Sequence, residues 1–193
     1  MNSKYSLLIA FILVALAQIY VPIRMILDKE DVLANGTEYK FKTAPVDPVD
    51  PFRGKYITLN YEGNTVEIQN EKDWMFGERI YVSLTSDNEG FAQITSVSKE
   101  KPKDNQDYII AKVDFVTDDG SNKLTIFYPF NRYYMEESKA LKAEQTYIYA
   151  QIDTNQITYA LVRIKDGDAV LKDVLIDGIS IREIVKTNQE VGK

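Results

Sequence analysis

The chain contains no histidine and no cysteine among its 193 residues. Without histidine there is no Ser-His-Asp or Cys-His catalysis, no His-based zinc site and no haem held through His. Without cysteine there are no disulfides, thiolate metals or thiol redox chemistry. The chemistry left open is carboxylate acid/base work, Ser-Lys dyads, metals bound through oxygen, and binding. Basic residues are also in deficit, with 23 Lys and Arg against 29 Asp and Glu and a formal net charge of -6. Lys4 and Arg24 are the only charged side chains before Asp28, so residues 28–193 carry 21 basic and 29 acidic residues. That surface repels phosphate backbones and anionic lipid, which argues against nucleic acid as a partner.

What is present begins with one long apolar run. Tyr5 to Leu27 is interrupted only by Ser6, Gln18, Pro22 and Arg24 among its less apolar positions. At 1.5 Å per residue a helix of this length crosses a hydrocarbon core of about 30 Å with some tilt. Lys4 and the amine precede it, as in an export signal, and Ala15-Leu16-Ala17 offers a small-x-small cleavage site. The apolar character continues past Ala17, so a retained signal-anchor over 1–27 is preferred to a cleaved signal. The bulk of the chain is then expected outside the cytoplasm, in a single-pass arrangement at a bacterial cell membrane.

Residues 28–51 read as a stalk with a first strand at Thr37–Lys42, followed by a Pro/Asp-rich lead-in, Val46 to Pro51, with a proline every third residue. From 52 to 185 short alternating runs follow one another between turn signals, the pattern of a mainly β, antiparallel barrel or sandwich. Tyr56–Tyr61, Ile80–Leu84, Phe91–Val97, Tyr108–Val116, Leu124–Pro129, Thr146–Ile152, Ile157–Ile164 and Ala169–Ile176 are the expected strands. Ile57, Leu59 and Tyr61 share one face, as do Ile80, Val82 and Leu84. Met135–Gln145 is the one short helix expected in this region. Residues 186–193 read as a tail. Phe52-Arg53-Gly54-Lys55-Tyr56 is echoed by Phe130-Asn131-Arg132-Tyr133-Tyr134, which suggests two related halves, 52–107 and 108–185.

The stretch Arg53-Gly54-Lys55-Tyr56-Ile57-Thr58-Leu59-Asn60-Tyr61, behind a Pro-Val-Asp-Pro lead-in, resembles the bacterial GDYXXLXY family. The membrane segment, the Arg132–Glu137 element and the run Gly167–Asp173 extend the likeness over nearly the whole chain. Lys55 stands where that family has Asp. The resemblance implies membrane attachment and fold continuity, with no activity attached. It also implies companionship with multi-span membrane proteins.

Candidate sites are few. Arg53 and Arg132 hold matching places in the echo and could grip a carboxylate or phosphate. Their alternative role is structural, each tied to local carboxylates and carbonyls, and that role is preferred. Asp47 with Asp50, or Asp118 and Asp119 with Asn122, could hold Ca²⁺, yet neither has the full ligand spacing, and Asp and Asn in turns usually bond their own backbone. The first serine beyond the apolar run is Ser83, inside a strand pattern, which disfavours a Ser-Lys protease. Trp74, with Met75 and Phe76, is read as a cap on the core, with a partner contact as the other option. No catalytic residue, metal or cofactor is assigned. The expected role is a membrane-anchored, extracytoplasmic accessory or binding module for a membrane protein partner. The alternatives are a carboxylate- or Ser/Lys-based hydrolase and a binder of a small anionic ligand.

Overall fold

The structure is a computed structural model and describes residues 3–45, 56–104, 106–153 and 155–190. The apolar run forms helix α1 (Ser3–Asn35), with Pro22 inside it. From Tyr5 to Asn35 its mean hydropathy over the best window is 2.4, and none of that window is buried by the rest of the chain. The helix does not stop at Leu27. It continues through the expected stalk to Asn35, where it meets the β domain.

That meeting is tight. Val32 is buried, and Gly36 donates its N–H to the Val32 carbonyl at 2.9 Å. Lys29 Nζ lies 2.7 Å from Asp168, and Lys165 Nζ lies 2.6 Å from Asp31. Arg163 Nη1 donates to the Gly36 carbonyl at 2.8 Å. A Cβ on Gly36 would come within 2.5 Å of the Val32 oxygen and 2.9 Å of the Ile164 oxygen, so only glycine allows this approach.

The domain is mainly β and its sheets are antiparallel, curled into a nearly closed barrel-like form. One sheet runs in the order β12 (Ile179–Ser180), β11 (Asp168–Ile176), β10 (Thr158–Lys165), β1 (Thr37–Ala44), β3 (Asn60–Tyr61). The second runs β4 (Thr65–Glu67), β8 (Lys123–Phe127), β7 (Tyr108–Val116), β5 (Arg79–Ser86), β6 (Ala92–Ser98). A short ribbon pairs β2 (Tyr56–Thr58) with β9 (Arg132–Tyr134). Parallel bridges at Lys40–Phe91 and Ile109–Gly167 tie the two large sheets together.

Local chemistry accounts for most of these elements. Ile80, Val82 and Leu84 are all essentially buried, and so are Ile57, Leu59 and Tyr61, because period-2 alternation puts each set on the core face. Asp166 and Gly167 have φ of 52° and 88°, the pair of positive values a two-residue hairpin needs, and they join β10 to β11 with Lys165 opposite Asp168. Asp177 and Gly178 repeat the device between β11 and β12.

Two further helical assignments differ from the sequence reading. Helix α2 runs Glu137–Ile152, so Thr146–Ile152 is helix and not strand. The reason is packing. Ala140, Ala143, Tyr147 and Ala150 recur at helical spacing, and all four are buried on one face. That burial outweighs the strand preference of the Tyr147-Ile148-Tyr149 stretch. The second difference is α3 (Ile181–Glu190), which reaches into the segment read as a tail. Its Ile181 and Val185 are fully buried, one helical turn apart.

A buried polar group locks α2 onto the sheet. Thr43 Oγ1 and Thr158 Oγ1 are 2.7 Å apart, and Gln151 Nε2 donates to both the Ala44 carbonyl and the Tyr147 hydroxyl at 2.8 Å. Burial pushes the Tyr147 phenol above its ordinary value, so it stays neutral and able to donate.

Candidate functional site

The ribbon β2–β9 brings the two echoed segments side by side. Tyr56 faces Tyr134, Ile57 faces Tyr133 and Thr58 faces Arg132. Leu59 then donates its N–H to the Asn131 carbonyl at 2.9 Å. On the outer face the Tyr56 and Tyr134 rings lie 5.4 Å apart, and the Arg132 guanidinium sits 4.9 Å from the Tyr56 ring centre. Hydrogen bonding to the Tyr134 hydroxyl, and secondarily the field of Tyr56, raises the Arg132 pKa. Arg132 is therefore engaged by tyrosines of its own ribbon and is exposed. Arg53 and Lys55 lie outside the described residues, as do Asp47 and Asp50.

Leu59 and Tyr61 of the same motif belong to the core. Tyr61, Phe41, Tyr128 and Phe130 form a cluster with ring centres 5.1 to 5.8 Å apart. The Tyr61 hydroxyl donates to the Phe130 carbonyl at 2.8 Å, so the one polar atom it buries is satisfied. The nearby Tyr133 hydroxyl donates to Asp173 at 2.6 Å, and the Arg182 guanidinium stacks on its ring at 5.0 Å.

The other candidates resolve as follows. Asp119 accepts the Ser121 N–H at 2.9 Å, and Asn122 has φ of 52°, which is turn chemistry. Among the described residues no group of three or more acidic side chains is placed to hold a metal. Ser83 is buried in β5 between β6 and β7.

One concavity is absent from the sequence reading. The second sheet curls so far that its two edge strands, β4 and β6, line one cleft of about 720 Å³. Val66, Ile68, Ile94, Val97 and Trp74 are half-buried there and pack against the core. Lys99 crosses one end, 2.7 Å from Glu78 and 5.3 Å above the Trp74 ring. The hydrogen bond from Lys99, aided by the Met75 N–H, holds the Glu78 carboxyl below its ordinary value. Beside Trp74 the chain leaves Met75 and Phe76 open to water, at 68% and 83% exposure. The expected core cap is thus only Trp74, and its two neighbours project. Trp74-Met75-Phe76 was the one signal that could have pointed to the cleft. Its position depends on which strands end up at the sheet edges, which local pattern does not encode.

Fold and site together define a class: an antiparallel β domain carried on a long, unburied apolar helix, with an open seam in its curled sheet. The chain belongs to the GDYXXLXY protein family, whose model matches residues 18–174. No curated protein and no solved structure matches it.

Proposed function

We propose that this is a single-pass bacterial membrane protein whose β domain lies outside the cytoplasm and serves as a binding module for a membrane protein partner. The observation that carries the proposal is α1. Helix α1 contains an 18-residue window of mean hydropathy 2.4 that the rest of the described chain leaves unburied, so it has no other apolar environment available to it there. A bilayer supplies one, because every backbone group of a helix is satisfied internally. The docked junction at Val32 and Gly36 then holds the domain at a fixed place on its anchor, where a neighbouring membrane protein meets it. The cleft between β4 and β6 is the binding surface favoured by its shape and its half-buried apolar floor.

The test is to purify the intact protein in mild detergent and identify by mass spectrometry what stays bound. A multi-span membrane protein in near-stoichiometric amount is the expected result. Recovery of the chain alone, or in the soluble fraction without detergent, would contradict the proposal.

A further inference from the structure

We propose that the cleft between β4 and β6 receives an extended polypeptide segment of the partner, flanked by basic residues, which adds as a strand to the free edge of the sheet. This rests on the binding-module reading.

The first support is the direction of the backbone groups. β4 pairs with β8 alone, and β6 with β5 alone, so among the described residues the outer edge of each strand has no strand partner. Ile68 donates its N–H to the Asn122 carbonyl at 2.8 Å, and the Asn64 carbonyl accepts from Ile126 at 2.8 Å. Asn64, Val66 and Ile68 therefore direct their backbone groups to β8. Antiparallel alternation turns those of Thr65 and Glu67 the other way, into the cleft. The opposite wall shows the same alternation. The Glu78 carbonyl and the Leu84 N–H bond to Val113 and Asp107 at 2.9 Å each, so even-numbered positions of β5 face β7. Tyr81 and Ser83 then bond to their partners Ser98 and Ser96, which leaves Val97 between them with its backbone groups aimed outward. An extra residue at Thr95 in β6 shifts the register, and pairing resumes beyond it as Leu84–Ile94, Thr85–Gln93 and Ser86–Ala92.

The second support is the floor. Val66, Ile68, Ile94 and Val97 offer apolar side chains between two rows of backbone donors and acceptors. An extended peptide answers both at once, with its backbone pairing to an edge and alternate side chains meeting the floor. The third support is charge. Glu67 and Asp73 line the rim, while Lys99, the lysine of the cleft, is already engaged with Glu78. A segment bearing Lys or Arg at its ends complements that rim. A second copy paired symmetrically along the same edge would set the same carboxylates against each other, which favours another protein as the occupant.

The test uses the full chain in detergent micelles and a synthetic peptide of alternating Val and Thr with Lys at both ends. Amide hydrogen exchange is read residue by residue. At ten times Kd, exchange at edge amides such as Thr65, Glu67 or Val97 should slow by about tenfold. The same peptide N-methylated at every residue, so that neither edge can donate, should give no slowing, and a Glu-flanked version should bind more weakly. Val97→Pro removes a donor that β5 does not use, so it should keep the melting temperature near wild type while binding weakens. If that variant fails to fold, the N-methylated peptide on the wild-type protein decides. No slowing at millimolar peptide, or equal slowing by the N-methylated peptide, would overturn the inference. A membrane partner retained equally by wild type and a folded Val97→Pro would also overturn it, yet leave the binding-module reading standing. Protection by the peptide with no membrane partner retained would do the reverse.

Discussion

Leu59 and Thr58 are neighbours with opposite fates. Leu59 is 3% exposed in the core, while Thr58 stands on the other face of the ribbon. Leu59→Ala should destabilise by about 2–5 kcal/mol, because a cavity adds to the lost burial. Thr58→Ala should cost much less, and chemical denaturation of the two variants compares them. Arg132 belongs to the surface. We expect Arg132→Lys to lower the melting temperature slightly, less than Leu59→Ala, since lysine keeps the charge but loses the planar stack on Tyr56. Unchanged melting with lost retention of an anionic ligand would instead mark Arg132 as a binding residue. Glu38 sets a pH dependence. The Lys172 ammonium, 2.8 Å away, holds its carboxyl below the ordinary value of 4.5, with Arg163 at 3.1 Å assisting. A depressed carboxyl contributes stability above its unfolded value and loses it as pH falls through the lower folded one. Melting temperature should therefore drop on acidification below about pH 4.5, and Glu38→Gln should flatten that drop.

At the scale of elements, the strands were legible wherever apolar residues alternate between strong turn signals. Tyr108–Val116 coincides with β7, and the gap between the runs Ile157–Ile164 and Ala169–Ile176 holds the Asp166-Gly167 hairpin turn. The end of α2 was misread because Tyr147, Ile148 and Tyr149 are strand formers by local preference. Only the spacing of Ala140, Ala143, Tyr147 and Ala150 betrays the helix, and it needs a longer window. The start of α3 had a signal that went unused. Ser180 precedes the helix and Glu183 stands three residues on, the capping-box pattern, and Ser180 Oγ does accept the Arg182 N–H at 3.2 Å. The junction of α1 with the β domain was not legible at all, since it depends on Lys29, Asp31 and Val32 meeting β10 and β11 from across the chain. It makes a sharp prediction. Gly36→Ala forces a Cβ onto two backbone oxygens, so the helix end should lift from the sheet. Amide exchange at Asn35 to Thr37 should speed up markedly, while the core of β5 stays protected.

At the scale of the molecule, the apolar helix and the acidic β domain divide the chain into two environments. The apolar run and the charge balance were plain in the sequence. The cleft was not, because it exists only once the sheet curls and leaves β4 and β6 as its edges. In the proposed arrangement α1 is held in a bilayer with the β domain on the outer side. The absence of native cysteine makes a direct measurement available. Phe76→Cys puts a lone thiol at a position that is 83% exposed, far along the chain from α1. Spheroplasts carrying this variant are treated with a membrane-impermeant maleimide, and the membranes are then washed with carbonate. Full labelling before lysis is expected, on protein that stays in the membrane pellet at its full length. Labelling only after lysis, or release of the labelled protein by carbonate, would contradict it.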